Sequence, residues 1–150
     1  MNPRTSQHVQ LMAALLGTVA AIPAGAADVS RWAEYFKVFA AVRNETEESV
    51  IAAADAALAP LGFQRDSAGI GYPGSTAPGI FASYRVGTTG ASAQIIQASS
   101  PECLAFSATN DDRSRMGLVD RAGAAIQARF RAAFGPNVQF YSDAKCRVAL

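Results

Sequence analysis

An α+β fold is what this sequence predicts: a two-layer domain with an antiparallel sheet of about four to five strands packed against two main helices. Three observations predict it. Apolar residues recur three and four apart over residues 50–61 and again over 116–133, which is the spacing of one buried helix face. Two alternating segments, 80–86 and 91–98, flank the turn Gly87-Thr88-Thr89-Gly90 and read as a hairpin. Between the two helical stretches the strand signals follow one another directly, as in antiparallel sheets, instead of alternating singly with helices.

The chain opens with a leader. Arg4 precedes an uncharged run over 9–27 through Leu11, Leu15, Leu16, Val19 and Ile22, after which Pro23 introduces the small triplet Ala24-Gly25-Ala26. Basic start, apolar middle and small side chains before the cut form the order a signal peptidase reads. Residues 1–26 are therefore expected to be a signal peptide, and 27–150 a single domain that is periplasmic or secreted. The run is rich in Ala and Gly and no stop-transfer charges follow it, so no stable membrane insertion is expected after processing. About 120 residues remain, enough to bury a core.

Residues 30–42, with Trp32, Tyr35, Phe36 and Phe39, read equally as a short helix or a buried strand. Asn44, with Glu47 three residues on, marks a helix start, and Glu45, Glu47 and Glu48 fall in the first turn, where the helix dipole favours them. Val50, Ile51, Ala54, Leu58 and Leu61 form the apolar face until Pro60 and Gly62 end it. Phe63 opens a short strand, and 68–79 is a loop rich in Gly and Pro around Tyr72. After the hairpin and Pro101, Leu104, Phe106 and Ala108 share one face of a further strand that begins at Cys103. Asn110-Asp111-Asp112 caps the second helix, whose face is Met116, Val119, Gly123, Ile126, Phe130 and Ala133; Gly135-Pro136 stops it. Val138 and Phe140 start a last strand, and Cys146, Val148 and Leu150 continue its parity.

The single histidine, His8, lies in the leader. Without it the domain lacks the commonest general base and the commonest metal ligand, which excludes Ser-His-Asp and Cys-His catalysis and His-ligated zinc. No cofactor and no metal are expected. The two cysteines, Cys103 and Cys146, lack Cys-x-x-Cys spacing, and in an exported chain they are expected to form a disulfide. The full chain carries a formal charge of +1, and basic and acidic residues balance once Arg4 is removed, so nucleic acid is not an expected partner. The glycines of the 68–79 loop match no phosphate-binding pattern. The carboxylates at 45–48 and 110–112 read as helix caps, not as a general acid–base pair or a calcium loop.

These residues point to a small, non-enzymatic bacterial protein that acts by macromolecular binding, as an inhibitor, immunity-type protein or accessory factor. The expected partner is another envelope or extracellular protein. Contacts are expected at Tyr72, whose ring between Gly71 and Pro73 offers a large amphipathic surface at modest entropic cost. Arg121 and Arg129, in the basic flank of the second helix with Arg113, Arg115 and Arg131, are the other expected contacts. Two alternatives stand beside this. One is a carboxylate-dependent hydrolase of an envelope polysaccharide that uses Asp66, Asp111 or Asp112. The other is a small carrier whose apolar pocket is lined by Phe81, Phe106, Phe130 and Phe140.

Overall fold

The fold is set by which residues each strand can bury, and on how many faces. A computed structural model of the protein describes residues 32–70, 79–88, 90–98 and 103–150, which fall in one compact unit from Trp32 to Leu150. The leader and Tyr72 lie outside the described residues. The strands are β1 (Glu34–Val42), β2 (Gln64–Ile70), β3 (Ile80–Arg85), β4 (Ser92–Gln97), β5 (Cys103–Asn110) and β6 (Val138–Tyr141), and the helices are α1 (Glu47–Leu58) and α2 (Leu118–Phe134). They form one six-stranded sheet in the order β2-β3-β4-β5-β1-β6, and every neighbouring pair is antiparallel. Both helices cover the same face.

The α+β class holds, but the sheet has six strands where the sequence predicts four to five. The extra strand is β1, which enters the sheet between β5 and β6. Val38 and Ala40 are buried under the helices, while Phe39 and Ala41 are buried on the other face. A strand covered on both faces shows a continuous apolar run, and its period does not separate it from a helix. The second strand is also longer than expected, for Ala68, Gly69 and Ile70 pair with Ala82, Phe81 and Ile80.

Helix α1 is capped by Thr46, not Asn44: its hydroxyl accepts the Ser49 N–H at 3.2 Å. Asp112 likewise caps only a 3-10 turn over Arg113–Arg115, and α2 begins later, at Leu118. Its N-cap, Gly117, has φ +77°, a conformation suited to glycine. The missing cap comes from a distant strand on the helix side of the sheet, where the Glu34 carboxylate of β1 accepts the Gly117 N–H. Fully buried Asn110 fixes that carboxylate with an Nδ2 bond of 2.9 Å and binds the turn through Asp112 O and Arg115 O. These bonds hold the Glu34 carboxyl below its usual range, the Asn110 bond most strongly.

Ile126, Phe130, Val119 and Leu118 of α2 join Val50, Ala54 and Leu58 of α1 over Val38, Phe106, Ile95 and Ala82 of the sheet. The Phe36 ring presses on α2 at Gly123, where no Cβ fits. The last expectation is also corrected: the parity of β6 does not run on through Leu150. The chain turns back after Tyr141, with Ser142 N–H bonded to Val148 O and Leu150 N–H to Phe140 O, both at 3.0 Å, so the tail lines the outer edge of β6.

Candidate functional site on the open face of the sheet

The face away from the helices is written in alternate residues. Register places Phe81, Ile96, Ala105, Phe39 and Tyr141 in one row across five strands. The next row reads Ser67, Ser83, Gln94, Ser107 and Lys37, and the one beyond it Arg85, Ser92, Thr109 and Tyr35. The face thus has an apolar half and a hydroxyl-rich half.

The apolar half is covered at its β6 end, while Phe81 and Ile96 at the other end are half-buried. Cys103 and Cys146 meet at the covered end in disulfide geometry, with Cα atoms 5.8 Å apart. Cys146 packs on Phe39, Ala41, Ala105 and Tyr141, all of them buried. Asp143 braces the returning tail by accepting the N–H groups of Arg147 and Val148, each at 2.8 Å, and of Lys145 at 3.3 Å. These backbone donors pull its carboxyl down to about 2.

The polar half holds a groove of about 390 Å³, walled by Asp66, Ser83, Arg85, Gln94, Ser107 and Thr109 and floored by the backbone of Tyr84 and Ala93. A β-bulge between Arg65 and Ser67 shapes one end. It turns Asp66 and Ser67 to the same face, so that Asp66 meets Arg85 at 2.6 Å and Ser67 shares a 2.9 Å hydrogen bond with Ser83. Ser92 and Thr109 share another, at 3.0 Å. Lys37 leans off the groove, its Nζ 5.2 Å from the Phe39 ring centroid. Tyr35, beside Thr109, is 61% exposed.

Of the expected contact residues, the two that are described lie elsewhere. Arg121 and Arg129 are exposed on α2, with the sheet between them and the groove. The basic flank is also dispersed: Arg115 pairs with Asp112, Arg113 stacks on Trp32, Arg131 stacks on Phe140, and Arg121 reaches the Met116 carbonyl. Of the candidate carboxylates, Asp66 is paired with Arg85, and Asp112 caps a turn, with its carboxyl lowered by bonds from Ser114. Phe106, Phe130 and Phe140 are packed in the core, whereas Phe81 lies on the opposite face of the sheet, so the four do not line one space. Among the described residues no cluster of three or more His, Cys, Asp or Glu is placed to hold a metal, and no helix is long and apolar enough to cross a membrane. Near Tyr84 and on the helix side, Asp55 meets Arg65 at 3.4 Å, and burial beside Asp55 pushes the Tyr84 hydroxyl up. That contact ties α1 to the sheet and does not open into the groove.

Sequence reading missed Ser83, Ser92, Gln94, Ser107 and Thr109 as a group. Their shared signal is parity, since each occupies a position where its strand alternates away from the apolar core. No protein-family model matches the chain, and no characterised protein matches it in sequence.

Proposed function

We propose that the protein is an exported, non-catalytic binding module that holds a macromolecule against the open face of its sheet. The observation that carries this reading is the groove itself. Apart from Asp66 on the edge strand β2, its walls stand on β3, β4 and β5, in the interior of the sheet, so the backbone beneath them is fixed by hydrogen bonds on both sides. Its one carboxylate, Asp66, is engaged by Arg85. The paired cysteines fit an oxidising compartment.

Capture from an extracellular or periplasmic extract tests it, with three baits compared. The protein itself and Arg121→Ala/Arg129→Ala are expected to retain the same partner. Gln94→Arg, which fills the middle of the groove from an exposed position, is expected to lose it while melting normally. Loss by the arginine variant with retention by Gln94→Arg would move the binding surface to α2. Hydrolysis of the captured material by the pure protein would overturn the non-catalytic reading.

A further inference from the structure

We infer that the groove takes a neutral, hydroxyl-rich ligand, a glycan chain, with Tyr35 as the platform on which one sugar ring stacks. This rests on the proposed binding role of the open face and names its ligand.

Charge is the first ground. The charged side chains of the groove are Asp66 and Arg85, and at 2.6 Å they neutralise one another. Among the lining residues a phosphate-bearing ligand finds no unpaired cation, since exposed Lys37, beside Ser107, leans away toward the Phe39 ring, and a cationic ligand finds no free carboxylate. An apolar protein surface finds the patch around Phe39, Ala105 and Tyr141 already covered by Cys146 and the tail, with Phe81 and Ile96 half-buried beside it. An extended peptide would seek a sheet edge, where backbone groups are unpaired, whereas this groove lies over interior strands whose backbone groups are bonded to each other.

Hydrogen-bonding type is the second. Ser83, Ser92, Ser107 and Thr109 carry hydroxyls and Gln94 an amide, and every one of these groups both donates and accepts. Sugar hydroxyls have the same double character, so a chain of them can be met at several points without leaving a like group opposed. The hydroxyl pairs Ser67–Ser83 and Ser92–Thr109 already hold one another in place, and each hydroxyl keeps spare capacity for a ligand. The side chains are thus set before binding, which lowers the ordering cost.

Geometry is the third. From Arg85 through Ser92 and Thr109 to Tyr35 the row crosses four adjacent strands, three interstrand steps or ~14 Å, the length of a short oligosaccharide. It ends on the exposed ring of Tyr35, an aromatic face against which the C–H groups of a sugar ring pack.

The test is titration of the isotope-labelled protein with chitohexaose, cellohexaose, maltohexaose and mannohexaose, followed by amide chemical shifts, with a heparin hexasaccharide as the charged comparison. At least one neutral hexasaccharide is expected to bind at millimolar concentration or tighter and to shift the amides of Ser83, Gln94, Ser107 and Tyr35. Tyr35→Ala and Gln94→Ala, both at exposed positions, should each weaken it by about tenfold with the melting temperature kept. Silence of the groove amides toward all four neutral sugars overturns the inference. So do binding that survives both variants, or preference for the heparin fragment. If Gln94→Arg abolishes capture from extract while every neutral sugar stays silent, the binding module stands and the glycan falls; if capture ignores Gln94→Arg, the groove itself is wrong.

Discussion

Opening the Cys103–Cys146 link, by Cys146→Ser measured in the presence of reductant, is expected to cost about 4 kcal/mol of folding free energy. The structure sets the size of the effect. The two cysteines are 43 residues apart in sequence, so the closed loop spans α2 and β6 and restricts a large part of the unfolded chain. On the chain-entropy relation a loop of that length lowers the unfolded-state entropy enough to give about 4 kcal/mol at room temperature. Unfolding a domain of this size carries an entropy of ~0.25 kcal/mol/K, so the melting temperature should fall by about 16 °C. Serine is tolerated at 146, a half-buried position, and fully buried Cys103 stays as it is. Scanning calorimetry of both proteins, with urea unfolding for the free energy, reads the difference. A loss below ~1 kcal/mol, or about 4 °C, would refute the reasoning and show that the link does not act by constraining the unfolded chain.

Gly123→Ala should destabilise by about 1–3 kcal/mol, against the usual gain for alanine in a helix, because its Cβ would meet the Phe36 ring; a more stable variant in urea unfolding would mean that the ring yields. Asn110→Ala should cost about 2–4 kcal/mol, since it leaves the Glu34 carboxylate, the Asp112 N–H and two turn carbonyls short of a partner, and a loss under 1 kcal/mol would mean water replaces the amide. Asp143, held at about 2 against an ordinary 3.8, stabilises the tail fully above the ordinary value and ceases to do so as the pH falls from about 4 to about 2. A carboxyl-carbon titration of Asp143 with a midpoint near 4 would contradict this, and Asp143→Asn should remove the acid-dependent shift of the Arg147 and Val148 amides.

The elements with one buried face were legible in the sequence. In α1, α2 and the β3–β4 hairpin the core sees a single stripe, and the periodicity of the residues reports it. Strand β1 was not, because Phe39 and Val38 are buried on opposite faces and the pattern is lost. Nor was the start of α2, which is decided by Glu34 reaching Gly117 from 83 residues away, a contact outside any local window. The cysteine pair followed from an even count, the expected export and the absence of Cys-x-x-Cys spacing. For the groove, the polarity of Ser83, Ser92, Gln94, Ser107 and Thr109 could be read strand by strand. That they share one surface depends on the register of two strand pairings, β3 with β4 and β4 with β5, and the placing of Asp66 depends on a bulge that no local signal marks.

The strand order has a kinetic consequence. Strands β2 to β5 form a meander in which each strand pairs with the next, so three of the five pairings close short loops. Strand β1 is different: it pairs with β5, its Glu34 lying 76 residues from Asn110, and with the still later β6. Strand β1, the first of the described strands, takes part in the most distant closures, and those closures carry the largest loop entropy. Rates fall as such distant pairings dominate, toward the millisecond-to-second range of β-rich domains. The pairings of the meander are local and need no contribution from β1, whereas the docking of β1 also completes the N-terminus of α2.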